Sequence, residues 1–259
     1  MLVGSPPDHT PIPPAPAAPL TLATDLDGTF LGGSHAQRRS LYDWLRRHRD
    51  RVTLIFVTGR DLPFIRQLTA SGEVPRPDYV IGDVGTTVAG GPLLTPLPGL
   101  ESPIARQWGD AGPRMAALLD GEPSLRRQPG EFRHRLSYYY DPATLDPALP
   151  GRVRAAGCDC LLSADTFFDV LPRGISKGPT LLRLLDHLGL PRQRVLTAGD
   201  TLNDLSLFET GLPGVVVGNA EPALLARVTG LPNLHLSTLP GAAGILDALS
   251  LETLPPMTR

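Results

Sequence analysis

Leu20-Thr21-Leu22-Ala23-Thr24-Asp25-Leu26-Asp27-Gly28-Thr29 decides how this chain is read. An uncharged, largely apolar run stops abruptly at two aspartates and a glycine. A run that short, bounded by turn residues, reads as a strand buried on both faces, the texture of a parallel sheet. The same ending recurs along the chain. Val52–Val57 runs into Thr58-Gly59-Arg60, Tyr79-Val80-Ile81 into Gly82-Asp83, and the stretch 194–198 into Gly199-Asp200. Helical spacing fills the gaps, through Leu41, Trp44 and Leu45 in 37–48 and again in 62–68. Strand-then-helix units in succession predict an α/β fold with a doubly wound, Rossmann-like parallel sheet.

The middle of the chain breaks this rhythm. Residues 90–103 are rich in Pro and Gly, as a linker is. A helix is predicted over 105–119, a strand over 132–140 ending in three tyrosines, a weaker helix over 145–156, and one or two strands over 158–171. These predict a small α+β domain inserted into the sheet. The rhythm then returns. Ser176 opens a helix with Leu181, Leu182, Leu184, Leu185 and Leu188 on its apolar face, stopped by Gly189 and Pro191. A strand over 194–198, a helix over 202–208, a strand over 215–217 and helices over 221–228 and 242–249 follow. The expected division is a core of 20–99 and 171–259, an inserted cap of 100–170, and a disordered Pro-rich tail of 1–19.

Composition narrows the function. The 259 residues carry a net charge of -2 and no basic block, so nucleic acid is not an expected partner. No run is long enough to span a membrane, and the first twenty residues lack the apolar stretch of a secretory signal. The two cysteines, Cys158 and Cys160, sit on one strand, too close for an ordinary disulfide and without a second pair for zinc. The expectation is a cytoplasmic protein, monomer or weak dimer, whose partner is a small molecule.

Four strand ends carry polar groups of useful types: Asp25 with Asp27, Thr58, Asp83, and Asp200 with Asn203 and Asp204. Asp25 and Asp27 share a face of the strand, and a turn at Gly28 can aim both at one point. Close carboxylates repel and call for a cation. Oxygen ligands without His or Cys suit Mg²⁺. Lys177, at a helix start where the macrodipole disfavours a cation by ~0.3–1 kcal/mol, is placed to hold an anion. Thr58 can donate to a phosphoryl oxygen or cap the following helix. Asp83 is either a neighbour of the reacting groups or a loop residue near the leaving group. Together these residues form a phosphoryl-transfer site, where catalysis is mainly positioning and charge neutralisation.

Asp25-Leu26-Asp27-Gly28-Thr29, Thr58-Gly59-Arg60, Lys177 and Gly199-Asp200-Thr201-Leu202-Asn203-Asp204 resemble the four ordered motifs of the haloacid dehalogenase superfamily. The insert lies between the second and third motifs, as in its Cof-type, class IIB members with an α+β cap. Leu136-Ser137-Tyr138-Tyr139, Asp169-Val170-Leu171-Pro172 and Gly214-Val215-Val216-Val217-Gly218-Asn219-Ala220 are similar to the sucrose-phosphatase-like branch. The resemblance implies an Mg²⁺-dependent phosphatase. Asp25 is its nucleophile and Asp27 its acid and base. Asp25, Asp200, Asn203 and Asp204, with the main-chain carbonyl of Asp27, are its metal ligands. Thr58 and Lys177 hold the phosphoryl group, with Gly59, Arg60, Asp83 and Arg135 toward the substrate. That branch favours lysine where this chain has Arg135, which keeps the charge and changes the hydrogen-bond geometry. The implied substrate is a disaccharide phosphate such as sucrose 6-phosphate, with mannosylfructose phosphate and glucosylglycerol phosphate as alternatives. A phosphosugar mutase is the competing reading, because Arg126, Arg127, Arg133 and Arg135 can cradle a second phosphate. A sensor that binds without turnover has no need of Asp27.

Overall fold

The computed structural model of the chain describes residues 12–130 and 132–251. Eight strands form one sheet and four another. The chain begins with β1 (Leu20–Thr24), α1 (His35–Arg47), β2 (Val52–Val57), α2 (Leu62–Thr69) and β3 (Tyr79–Gly82). Two short strands, β4 (Thr87–Gly90) and β5 (Thr95–Pro96), then turn back antiparallel on the edge of the sheet. Helices α3 (Pro98–Trp108) and α4 (Ala111–Leu118) lead into the second sheet: β6 (Leu125–Arg127), β7 (Leu136–Tyr140), β8 (Cys158–Ser163) and β9 (Phe167–Pro172), with α5 (Leu149–Ala155) between β7 and β8. This sheet is antiparallel throughout, in the order β6-β7-β9-β8. The first sheet is completed by α6 (Lys177–Leu188), β10 (Val195–Gly199), α7 (Leu205–Phe208), β11 (Gly214–Val216), α8 (Pro222–Val228), β12 (Leu234–Leu236) and α9 (Gly241–Ser250).

The order β12-β11-β10-β1-β2-β3-β4-β5 places β1 in the middle, parallel to β10 on one side and β2 on the other. All five residues of β1 are buried because helices cover both faces. Leu22, Leu54 and Phe56 pack with Leu41 and Trp44 of α1, Ile65 of α2 and Ile245 of α9. The alternate residues Ala23, Ile55 and Val57 pack with Leu181, Leu184 and Leu185 of α6 and Leu207 of α7. The chain leaves β1 toward β2 and returns later on the β10 side, so the strand order reverses at β1. Ligands bind at such a switch point, beyond the carboxyl ends.

Several elements differ from the sequence expectation, each for a local reason. The helix over 105–119 is two, broken at Gly109 with φ 47°. The supposed linker over 90–103 contains β5 and the first turns of α3. That helix joins the two sheets: Ile104 packs under the large one and Trp108 under the small one. Strand β9 runs to Pro172, across the expected boundary at 170. The Ser176 side chain makes no cap hydrogen bond, while Gly189 does end α6 in the left-handed region, φ 65°. Of the Pro-rich tail, residues 1–11 lie outside the described residues. Residues 12–19 form no helix or strand, yet Trp44 donates to the Pro13 carbonyl at 2.9 Å, and Arg194 donates to the Ala18 and Pro19 carbonyls at 3.1 and 3.2 Å. Among the described residues, no helix is long and apolar enough to cross a membrane.

Candidate active site

Because β10, β1 and β2 are neighbours, their carboxyl ends bring Asp200, Asp25 and Thr58 together. The Asp25 N–H donates to the Ala198 carbonyl at 2.9 Å, extending the ladder one step past the strand. The chain then tightens into the turn Leu26–Phe30, where Gly28 takes φ 82°. A Cβ at Gly28 would stand 2.1 Å from Asp200 Oδ2, so only glycine admits that carboxylate. The next residue holds it: Thr29 Oγ1 donates to Asp200 Oδ1 at 2.6 Å. On the far side, the N–H groups of Asp200 and Thr201 donate to Asp204 Oδ2 at 3.0 and 3.1 Å.

Lys177 is the hub. Its side chain is wholly buried, and Nζ donates to Asp25 Oδ1 at 2.7 Å, Asn203 Oδ1 at 2.5 Å and Asp204 Oδ1 at 2.6 Å. The three donors of the ammonium are thereby matched to three oxygens. Gly178 lets α6 lie this close to α7, since a Cβ there would meet the Ser206 carbonyl oxygen at 1.8 Å. Burial disfavours the Lys177 charge, but Asp204 and Asp25 outweigh it and raise the pKa above the ordinary lysine value. The carboxylates are the unbalanced side. Burial holds the Asp25 pKa well above its usual range; Lys177 opposes this, while Asp204 and Asp200 add to it. Burial, then Asp204, pushes Asp200 up to about 7 against the Thr29 hydrogen bond. Oxygens of Asp25, Asp200 and Asp204 lie within 4.8 Å of one another. Three buried carboxylates against one ammonium leave a deficit of positive charge that a hard divalent cation fits.

Asp27 is not in that cluster. Its carboxylate pairs with Arg60, which donates from Nε at 2.8 Å and from a terminal nitrogen at 2.9 Å. Asp25 and Asp27 line the same cavity, and Asp27 is held there by a bidentate pairing with Arg60. Thr58 is buried, and its Oγ1 accepts from the Arg60 N–H at 3.1 Å, closing the Thr58-Gly59-Arg60 turn. It does not cap α2. Asp61 does, accepting from the Phe64 N–H at 2.9 Å. Asp83 is buried too, at φ 52°; its Oδ2 accepts from Thr87 Oγ1 at 2.6 Å, and its Oδ1 faces Arg135 at 3.4 Å.

A cavity of about 420 Å³ separates the two sheets here. Asp25, Asp27, Arg60 and Asn203 form its floor; Gln128, Tyr139, Phe167 and Arg135 of the inserted unit form its roof. Arg126 lies over the Tyr139 ring, 4.5 Å from its centroid, which fixes the ring's pose. A larger cavity of about 570 Å³ is lined by residues such as Arg192, Pro213 and Asn233, which precede β10, β11 and β12. It opens at the amino ends of those strands, away from the carboxylates. Sequence reasoning passed over Thr29 and Asn219, whose Nδ2 donates to the Gly28 carbonyl at 3.0 Å. Both lie inside motifs that were quoted, so position alone could have found them.

A family model of sucrose-6F-phosphate phosphohydrolases matches residues 18–251. The chain belongs to this family. The phosphohydrolase family sits in the haloacid dehalogenase superfamily of phosphatases, and its members are hydrolases. The chain is 40% identical over 231 residues to a glucosylglycerol-phosphate synthase of Pseudomonas anguilliseptica, spanning only 30% of that protein's length. It is 30% identical over 238 residues to a mannosylfructose-phosphate phosphatase of Agrobacterium fabrum, spanning 94% of it. A sucrose-phosphatase from Synechocystis, solved with sucrose and phosphate, superposes with a TM-score of 0.82 at 26% identity, over 90% of this chain and 98% of that one.

The Gly28 geometry of this phosphohydrolase yields a direct test. Gly28→Ala forces Asp200 off Thr29, and a displacement near 1 Å in such a site costs about a hundredfold in turnover. Phosphate release should fall by that order while circular dichroism stays unchanged. Wild-type turnover in the variant would mean that the Asp200 position is immaterial.

Proposed function

We propose that this chain is an Mg²⁺-dependent sugar-phosphate phosphatase acting through an aspartyl phosphate on Asp25. The supporting observation is the Lys177 hub: one buried ammonium joins Asp204 to Asp25 and Asn203, the last two lining the floor of a roofed cavity. In this reading Asp25 attacks phosphorus in line as the sugar oxygen departs. Asp27 protonates that oxygen and later takes a proton from the hydrolytic water. Arg60 orients the Asp27 carboxylate through its two hydrogen bonds. Thr58 accepts from the Arg60 N–H, which leaves its own hydroxyl proton for a phosphoryl oxygen. Lys177 engages a phosphoryl oxygen by exchanging one of its three present acceptors. Mg²⁺ held by Asp25, Asp200, Asn203 and Asp204 with the Asp27 carbonyl would neutralise phosphoryl charge.

The substrate we favour is a disaccharide phosphate such as sucrose 6-phosphate. Support comes from the family match and from the cavity, whose Tyr139 and Phe167 rings suit apolar sugar faces. The named relatives make mannosylfructose phosphate and glucosylglycerol phosphate the alternatives. The mutase reading is less supported. Of the arginines it needs, Arg133 is paired with Glu101, Arg135 with Asp83 and Asp169, and Arg126 is stacked on Tyr139.

Phosphate release measured over a panel of mono- and disaccharide phosphates tests the reading. One disaccharide phosphate should stand out by tenfold or more in kcat/KM. A chelator should abolish activity, Mg²⁺ should restore it and Ca²⁺ should do so poorly, because Ca²⁺ prefers more ligands at longer distances. Full activity in the chelated enzyme would overturn the metal assignment. Interconversion of phosphosugars without phosphate release would favour the mutase.

A further inference from the structure

Arg135 lines the cavity, and its hydrogen bonds go to the cavity's own walls. One terminal nitrogen donates to the Gly59 carbonyl at 3.0 Å and faces Asp83 Oδ1 at 3.4 Å; the other meets Asp169 Oδ1 at 3.4 Å. Its guanidinium lies over the Phe132 ring, 4.0 Å from the centroid. Gly59 and Asp83 belong to the large sheet's loops and Asp169 to β9 of the small sheet, so the single cation bridges the two units. The side chain is 6% exposed and both carboxylates it meets are buried, so bulk water does little to screen the bridge.

The bridge continues on both sides. Ser137 Oγ of β7 donates to Asp169 Oδ1. Asp83 accepts from Thr87 Oγ1, which in turn accepts from Arg133 at 3.2 Å. Arg133 pairs with both oxygens of Glu101, at 2.8 and 2.9 Å. Glu101 lies on α3, the helix that joins the two units, and also accepts from the Val88 N–H of β4 at 2.9 Å. Hydrogen bonds, linked by the Asp83–Arg135 ion pair, therefore run from the joining helix, along the flank of the large sheet, into the small sheet. None of Glu101, Thr87 or Arg133 lines the cavity, and none meets the Lys177 hub.

We propose that Glu101, Arg133, Asp83, Arg135 and Asp169 are positioning residues: together they clamp the inserted unit closed over Asp25. This rests on the phosphatase reading and gives Arg135 another role than the substrate contact that the family resemblance implies. Arg135 acts on turnover through the seat of the roof and does not select the sugar. Arg133 and Arg135 stand two residues apart in the bend just before β7, and both cations reach the same seam. Of these contacts, those of Arg135 with the Gly59 carbonyl and Asp83 and that of Arg133 with Thr87 cross from the inserted unit to the large sheet's side of the seam, and loss of a cation there leaves a buried carboxylate short of its partner.

The test uses the full chain with Cys158 and Cys160 changed to alanine. Spin labels go on the exposed positions Ala143 of the inserted unit and Ala226 of α8, each changed to cysteine. Pulsed electron–electron resonance then reads the separation of the two units. Arg135→Met and the milder Glu101→Gln should each add a longer-distance population that the parent lacks. Both should lower kcat/KM by one common factor, tenfold or more, on para-nitrophenyl phosphate and on the best ester of the sugar-phosphate panel. Arg135→Lys, which keeps the charge, should recover part of both effects. Distance distributions unchanged in both variants would overturn the clamp. So would a loss confined to the sugar phosphate, which would make Arg135 a sugar ligand. If the parent hydrolyses no ester at all, the phosphatase reading fails, and the distance measurement still decides the clamp.

Discussion

Asp25→Asn should reduce phosphate release to below about one ten-thousandth of wild type, the scale on which loss of a covalent nucleophile is felt. The carboxamide keeps the shape of the carboxylate and can still accept from Lys177 Nζ. It cannot attack phosphorus. The same variant should melt higher than wild type when no metal is present. Burial, with Asp204 and Asp200 adding to it and Lys177 opposing, raises the folded-state pKa of Asp25 above its unfolded value. A raised carboxylate pKa means that ionisation costs the fold: the penalty is absent below the ordinary carboxylate range and grows as pH rises through it. At neutral pH the asparagine variant escapes that penalty. Relief of ~1 kcal/mol would raise Tm by about 2–4 °C in a chain of this size. The two readouts move in opposite directions, which separates a chemical role from a structural one. An active variant would rule out the aspartyl phosphate. An inactive variant that melts lower would mean that Asp25 stabilises the fold and would leave its chemical role unproved.

The parts of this site that could be read in the sequence are those that lie at the ends of deeply buried strands. β1, β2 and β10 are covered on both faces, so each is a short apolar run with an abrupt polar end, and the ends carry Asp25, Thr58 and Asp200. Short flanking elements leave no such mark. β4, β5 and β12 have two to four residues each and pair on the sheet's flanks, where neither periodicity nor length distinguishes them from loop. β6, largely exposed and only three residues long, leaves no mark for the same reason. Side-chain pairing was legible only within motifs. Lys177 could be placed because a lysine at a helix start works against the helix dipole and so asks for a reason. The turn of Asp27 onto Arg60 could not, since it depends on how the Gly28 and Gly59 turns face each other across the sheet. Glu101 carries no signal at all: a glutamate in the first turn of a helix looks solvent-facing, and only the fold shows it buried under Arg133.

Lys177→Met is the second large effect, and it falls on the fold as much as on the reaction. The methionine keeps the length and much of the volume of the buried stem. It removes the cation that Asp25, Asn203 and Asp204 share. Both carboxylates are then left buried without their partner, and breaking a buried pair from one side costs about 3–5 kcal/mol. At ~2–4 °C per kcal/mol for a domain of this size, Tm should fall by roughly 6–20 °C without metal. Mg²⁺ should return part of this loss, because a divalent cation at the same carboxylates supplies the missing positive charge and binds only the folded state. Turnover should stay below about a hundredth of wild type even when the fold is restored, since a point charge facing the phosphoryl group is worth ~2.7–4 kcal/mol in such sites. Denaturant unfolding followed with and without Mg²⁺, beside phosphate release, measures all three. A variant as stable as wild type without metal would mean that the carboxylates around Lys177 are protonated in the resting enzyme. The ammonium would then not be what holds the nucleophile in place.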